Sequence, residues 1–471
     1  MATAPPPSTP GSPTSPATAS APARPSPLGW WRRFRRWPGP ARWSAYVAVT
    51  LVLLLVAAVA GGVVVLRRPL PQTAGTLEVP GLDGTVEVVR DAHGIPQLYG
   101  DSLDDLMRAQ GFVHAQERFF EMDLRRHVTS GRLSELFGEQ TLDTDKYIRT
   151  LGWRRVAEQE VALVAPETRR LLQDYADGVN AYLDTHSPSE IAVQYTLLGL
   201  QGLRYEPEPW TPADSLAWLK AMAWDLRGNM ADEIARALSS VDHTPAEVRE
   251  LFPSYPYADH APIVTAGAVV DGAFDPGARP AAARPAYPRA ALARLDDLQQ
   301  GLAALPALLG RGAGLGSNSW VVDGAHSQTG SPILANDPHL GVSLPGIWMQ
   351  MGLHCRQVDD DCPLDVAGFT FSGVPGVIIG HNADIAWGFT NLGPDVTDLY
   401  LEQVRDDTWR RGRTWKPLKV RTETIAVRGG DDFELRIRET DHGPLLSDVS
   451  QELATVGANA APLGSTDYAV S

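Results

Sequence analysis

Cysteine is nearly absent: the 471 residues contain two, Cys355 and Cys362, separated by Arg356-Gln357-Val358-Asp359-Asp360-Asp361. Two cysteines cannot build a structural zinc site alone, and no H-E-x-x-H stretch supplies histidine ligands instead. The G-x-S-x-G turn that exposes the serine of α/β-hydrolases does not occur. Neither a P-loop nor a G-x-G-x-x-G in strand-turn-helix context is present, so no motif points to a nucleotide. Acidic residues are missing from residues 1–68, which hold eight arginines, so the net charge of −15 for the whole chain becomes −23 for the remainder. Nucleic-acid binding needs a dense basic face, and this balance argues against it.

The basic segment reads as a membrane signal. Residues 1–28 are almost only Pro, Ala, Ser, Thr and Gly, too poor in apolar surface to offset chain entropy, and a disordered tail is expected over 1–43. Trp30-Trp31-Arg32-Arg33-Phe34-Arg35-Arg36-Trp37 then precedes an uncharged run of 22 residues, Ala45 to Leu66. A helix of that length crosses about 30 Å of hydrocarbon. Six arginines precede the run and two come after it, so the charge bias leaves the N-terminus cytoplasmic and everything after residue 68 outside. A single-pass anchor over 44–66 is expected. The alternative is a cleaved signal peptide, for which Ala58-Val59-Ala60 offers an A-x-A site. In an exported chain the cysteine spacing suits a disulfide closing a small loop, the alternative being two unpaired thiols.

With 44% apolar residues the exported part has ample material for a core. Residues 69–83 read as a linker. Gly84 to Arg90 and Ile95 to Tyr99 are strand-like and joined by the turn Asp91-Ala92-His93-Gly94, which predicts a hairpin. Asp101 or Ser102 can cap an amphipathic helix carrying Leu103, Leu106, Met107, Phe112, Val113, Phe119, Phe120 and Leu124. His114 in that helix reads as a packed or surface residue rather than a ligand. Further helices are predicted from Pro166, from Pro212 or Ala213, and around Asp232 to Ser239, giving a mostly helical first region over 77–253. Ala, Pro and Gly then dominate a linker or excisable spacer, 254–316, which has little to pack with.

From Ser317 the pattern turns to strands: Trp320-Val321-Val322, Pro332 to Leu334, Trp348 to Met351, Asp365 to Phe371, Gly376 to Gly380, Ile385 to Phe389 and Lys419 to Val427. Helices first and strands afterwards make an α+β protein. At the joint stands Gly314-Leu315-Gly316-Ser317-Asn318-Ser319-Trp320. A serine hydroxyl is a weak nucleophile without an adjacent base. A free α-amine, with an unperturbed pKa of about 7.7–8.0, is such a base, so an N-terminal serine carries its own. Attack of Ser317 on the Gly316 carbonyl would create that terminus, and Gly-Leu-Gly gives the backbone the required freedom. By itself a Gly-Ser step is more often an ordinary strand cap.

The surrounding motifs change that weighting. They are Asp91 to Pro96, Ala109-Gln110-Gly111-Phe112-Val113-His114-Ala115-Gln116-Glu117-Arg118, Gly131 to Gly138 and Tyr205 to Asp214. After the serine come Asn336-Asp337-Pro338-His339-Leu340, Gly373-Val374-Pro375-Gly376, Gly380-His381-Asn382, Ile385-Ala386-Trp387-Gly388, Asp395-Val396-Thr397-Asp398-Leu399-Tyr400 and His442-Gly443-Pro444. In order and spacing, from about residue 84 to the end, the set resembles the penicillin acylase family of N-terminal nucleophile hydrolases.

That resemblance implies a four-layer αββα fold of two antiparallel sheets between helices, and a precursor cut into two chains that stay together as a heterodimer. It implies Ser317 as nucleophile and His339 as the residue that steadies the serine and its amine or holds the substrate amide. Asn391 falls at the position whose backbone N–H forms half of the oxyanion hole. Asp395 and Asp398, with the Thr397 carbonyl between them, are spaced like ligands of a hard cation such as Ca²⁺, and the resemblance adds Glu233 from the first region. The implied substrate is a small N-acyl amide, whether a β-lactam or cephalosporin side chain or an acyl-homoserine lactone. Its acyl group would be received by the helix Ala213 to Leu226, with Met222 and Leu226 as pocket residues. The family's second chain runs well beyond residues 317–471, and the second oxyanion donor and further calcium ligands belong to that continuation. The sequence therefore reads as partial, and the rival expectation is a truncated or inactive homologue acting as a non-catalytic surface protein.

Overall fold

The computed structural model describes residues 34–226, 230–240, 242–253, 268–270, 273–277, 316–391, 397–449 and 467–471, with Asp259 and Leu305 as isolated positions. The tail 1–33 and most of the expected spacer lie outside the described residues. The chain divides into two units, Met1–Arg67 and Arg68–Ser471.

In the first unit, α1 (Gly39–Arg67) is apolar along its length and buries none of its residues. It is the one helix among the described residues long and apolar enough to cross a membrane, by length and composition. The helix starts before the predicted 44–66, and Phe34 folds back so that its ring lies 5.3 Å from that of Tyr46.

The second unit is α+β, with the helices preceding most of the strands. It begins with the predicted hairpin, β1 (Glu87–Arg90) and β2 (Pro96–Gly100). The turn forms because the Asp91 carboxylate accepts from the backbone N–H groups of His93 and Ile95, while Gly94 takes φ 81°. Next, α2 (Leu103–Ser130) is capped by Ser102, whose side chain accepts from Asp105 N, and is ended by left-handed Gly131. It is followed by α3 (Leu142–Leu151), α4 (Pro166–Leu183), α5 (Pro212–Asp225) and α6 (Met230–Ser239). Where α2 crosses α4 the backbones touch: a Cβ on Gly111 would collide with the Tyr175 carbonyl, and one on Gly178 with that of Arg108.

The segment that begins at Gly316 forms a two-stranded ribbon, β3 (Gly316–Val322) antiparallel to β4 (Ile333–His339). The main sheet gains β5 (Trp348–Cys355), β6 (Asp365–Phe371), β7 (Ile379–His381) and β8 (Ala386–Trp387). Its order is β1-β2-β5-β6-β7-β8. All pairs are antiparallel except β2 with β5, which run parallel. The expected all-antiparallel sheet is therefore mixed. β2 and β5 are separated by the whole helical region and the ribbon, so no hairpin turn dictates their direction. One face packs on α2 through Leu98, Leu106, Met107, Val113, Met351 and Leu353.

Cys355 and Cys362 form the expected disulfide at the β5–β6 end of this sheet. Beyond it, β9 (Leu401–Arg405), β10 (Thr408–Arg411), β11 (Thr414–Pro417) and β14 (Asp467–Val470) make a four-stranded sheet. Between them in sequence, β12 (Lys419–Ile425) pairs with β13 (Phe433–Glu439). Inside the expected spacer, Leu305 is only 4% exposed and joins Tyr147, Met230, Ile234, Ala237 and Leu446 in one apolar cluster. That stretch was expected to have little to pack with, and at Leu305 it is held by a core.

Candidate active site

The β3–β4 register makes Ser317 and His339 diagonal neighbours, with the His339 side chain on the Gly316 face of the ribbon and that of Ser317 on the other. Gly316 lies opposite His339, and Ser317 opposite Pro338. Ser317 is half-buried, and its hydroxyl donates to the Gly316 carbonyl oxygen at 2.7 Å. His339 Nε2 is 3.0 Å from an Asp337 carboxylate oxygen. A carboxylate only accepts, so this nitrogen carries the proton, and in the neutral ring Nδ1 is left as an acceptor. A Cβ placed on Gly316 would stand 3.9 Å from that Nδ1.

Asn391 is exposed, and its side-chain amide donates to the Leu226 carbonyl, just past the end of α5, at 2.9 Å. This ties the expected oxyanion segment to the helix expected to receive the acyl group. Met222 and Leu226 both pack against a buried cluster of Trp218, Ala221, Ile347, Phe371 and Val374, together with Leu340. Leu340 directly succeeds His339, so the cluster begins beside the ribbon. The sequence names Met222 and Leu226 as pocket residues, and in the structure they share this cluster with Trp218 and Val374. The apolar positions Trp218, Ala221 and Met222 on α5 repeat at helical spacing and disclose the first, while Val374 stands in the Gly373 to Gly376 motif without a role assigned to it.

A buried polar chain holds the turn that carries Val374. Gly373 N–H donates to the Tyr175 hydroxyl at 2.8 Å, and His114 Nδ1 lies 2.8 Å from that hydroxyl. His114 Nε2 lies 3.0 Å from Thr370 Oγ1, which donates to the Met349 carbonyl. Because the threonine proton is committed, Nε2 must donate and Nδ1 must accept from Tyr175. His114 is thus neutral and packed, and burial, aided by Arg118 and Arg125, lowers its pKa to about 3. Gln110, one turn earlier, accepts from Gly376 N at 2.7 Å and donates to Gly376 O at 2.9 Å.

The expected ion ligands are only partly in view. Glu233 is half-buried on α6, Thr397 is half-buried, Asp398 is exposed, and Asp395 lies outside the described residues. Their neighbours Ile234 and Leu399 belong to one apolar cluster, which draws the two segments together across the chain. Among the described residues no group of three or more His, Cys, Asp or Glu is placed to hold a metal. A cavity of about 630 Å³ between residues 72–90 and α2, lined by Leu77, Val86, Val88, Phe112 and Gln116, contains none of the expected site residues.

Residues 85–469 match the family model described as penicillin amidase. The chain is 34% identical over 411 residues to penicillin acylase 2 proenzyme of Pseudomonas sp. strain SE83, covering 85% of this chain and 49% of that protein. It is 31% identical over 390 residues to acyl-homoserine lactone acylase QuiP of Pseudomonas aeruginosa, covering 80% and 42%. Against penicillin G acylase of Escherichia coli the identity is 26% over 392 residues, covering 77% and 45%. The chain therefore spans about half the length of the curated relatives it matches. Among solved structures, thermostable penicillin G acylase from Alcaligenes faecalis aligns with 25% identity over 43% of this chain and 98% of that chain, with a TM-score of 0.31. With a family model matched over most of its length and a relative 34% identical across 85% of it, the chain belongs to the penicillin amidase family.

Proposed function

We propose that this chain carries the nucleophile of an exported amidohydrolase of the penicillin acylase type, with Ser317 freed as an N-terminus by self-cleavage. The observation that carries this reading is the Ser317 hydroxyl set 2.7 Å from the carbonyl oxygen of Gly316, the residue that His339 faces across the ribbon. In the first step Oγ attacks the Gly316 carbonyl carbon. The C–Oγ bond forms, the Gly316–Ser317 C–N bond breaks, and the hydroxyl proton ends on the departing nitrogen. Water then hydrolyses the ester, leaving a Gly316 carboxylate and Ser317 with a free α-amine. That amine, through a water, takes the Oγ proton when the serine attacks a substrate amide; the amine product departs, and a second water releases the acid.

His339, oriented by Asp337, steadies the serine and its amine by hydrogen bonding. Asn391 supplies a backbone N–H to the oxyanion, a kind of donor whose loss typically costs about 2.7–4 kcal/mol of barrier. The apolar cluster around Trp218, Met222, Leu226 and Val374 receives the acyl group. The substrates fitting this pocket are N-acyl amides of the classes named by the relatives, penicillins and acyl-homoserine lactones. The surrounding fold is the four-layer αββα arrangement, with the two cleaved chains remaining together, and α1 serves as a single-pass anchor with a cytoplasmic N-terminus.

Glu233, Asp395, Asp398 and the Thr397 carbonyl would hold a Ca²⁺ ion joining the two chains. Their all-oxygen chemistry suits a hard cation, and the cluster shared by Ile234 and Leu399 supports their convergence. The test of the main reading is intact-mass analysis with N-terminal sequencing of the exported protein. A chain beginning at Ser317 is expected, and Ser317→Ala should remain one polypeptide without amidase activity. A wild-type chain that stays uncut, or processing that survives in Ser317→Ala, refutes the nucleophile and leaves the non-catalytic surface protein.

A further inference from the structure

One side chain connects the nucleophile strand to the oxyanion segment. The Asn336 carboxamide on β4 accepts from Phe389 N–H at 3.1 Å and donates from Nδ2 to the Phe389 carbonyl at 2.9 Å. The same Nδ2 lies 3.3 Å from the carbonyl of Asn318, the residue after Ser317. The orientation of the amide is fixed by its partners, since a flipped oxygen would face two carbonyl acceptors. The approach is tight as well: a Cβ on Gly388 would stand 2.7 Å from Asn336 Cβ. Gly388 is thus glycine because Asn336 occupies its side-chain space.

Phe389 presents both its N–H and its C=O to this amide, as a residue in extended backbone presents both to a neighbouring strand. Asn336 therefore substitutes for a strand partner at this point. In extended backbone the next N–H facing the same way belongs to residue i+2, which is Asn391.

We propose that Asn336 is a positioning residue: by holding Asn318 and Phe389 on one amide, it sets where the Asn391 N–H stands relative to Ser317 Oγ. The inference rests on the reading of Ser317 as nucleophile and Asn391 as oxyanion donor. It predicts a defect in the reacting geometry with little effect on substrate capture. A displacement of about 1 Å in such a constellation costs about 100-fold in rate.

The test compares Asn336→Asp, Asn336→Ala and Gly388→Ala with the wild type and with Ser317→Ala, measuring kcat and KM for an N-acyl amide and hydrogen exchange at the Phe389 amide. Asn336→Asp keeps the side-chain volume and the acceptor for Phe389 N–H but turns a carboxylate oxygen towards two carbonyls. All three variants should lose about 10- to 100-fold in kcat with KM changed less than about two-fold. Exchange at Phe389 should quicken at least about ten-fold in Asn336→Ala. Unchanged kcat in these variants, while Ser317→Ala abolishes hydrolysis, overturns the inference and leaves the nucleophile intact. A rise in KM at constant kcat also overturns it. If Ser317→Ala remains active, or the wild type shows no hydrolysis, the underlying reading fails, and the exchange measurement then decides the brace alone: unaltered Phe389 exchange in Asn336→Ala refutes it. Should Asn336→Ala fail to fold, the isosteric Asn336→Asp carries the comparison.

Discussion

Replacing His114 with glutamine should remove a large part of the acid sensitivity of this protein. The imidazole is fully buried between Tyr175 and Thr370, and its pKa is lowered to about 3, against 6.5 for the free group, chiefly by burial. Between those two values the unfolded chain binds a proton at this site and the folded one does not. Stability must therefore fall as the pH drops through that window, by about 1.4 kcal/mol per unit. From pH 6.5 to 5 the loss is about 2 kcal/mol, and the full penalty approaches 5 kcal/mol below pH 3. Glutamine can donate to Thr370 and accept from Tyr175 as the neutral imidazole does, but it cannot titrate. The variant should thus unfold at a midpoint near that of the wild type at pH 7.5 and lose less on acidification. The assay is the urea midpoint of both proteins from pH 7.5 to 4.5, read as the difference between them so that carboxylate titration common to both cancels. Parallel midpoint curves would show that His114 is not the buried neutral group described, whereas curves that converge at pH 7.5 and separate towards pH 4.5 are expected.

Gly178→Ala should fail to reach the native fold or melt at much lower temperature, because its Cβ meets the Arg108 backbone at the α2–α4 crossing; circular dichroism melts check this. Asp123→Asn should destabilise by about 3–5 kcal/mol in urea titrations, since it leaves the buried Arg126 guanidinium, now paired with Asp123, without its counter-charge. Met222→Ala should enlarge the proposed acyl pocket and shift kcat/KM towards bulkier acyl groups, read from a series of N-acyl amides. Reducing the Cys355–Cys362 disulfide, which closes a short loop between β5 and β6, should cost about 2–3 kcal/mol and lower the melting temperature.

Local chemistry was legible in the sequence. The Asp91 to Gly94 turn, the Ser102 cap and the proline-led starts of α4 and α5 involve groups a few residues apart, so their partners are written beside them. Pairing at a distance was not. That β2 joins β5 in parallel, that His114 reaches Thr370, and that Leu305 enters the cluster of Met230 and Ile234 depend on how the chain is threaded. Within the candidate site the sequence singles out Ser317 and His339 separately, but that His339 faces Gly316, next to Ser317, is a consequence of register, which sequence spacing leaves undetermined. Asn336 lay inside a quoted motif without a role, because its work is done on the backbone of Phe389, more than fifty positions away.

The register of the β3–β4 ribbon would also govern the outcome of the proposed cut. Seven consecutive residues of β3 are matched with β4, and the Gly316–Ser317 bond lies between the first and second of them. Severing it there removes one rung and leaves six, so the strand behind the new terminus is already zipped in place. The released serine faces Pro338, a residue with no N–H to offer the fresh amine or to compete for the serine oxygen. The proposed maturation would be a change of connectivity without a search for position: the chain end would be created where it is to be used.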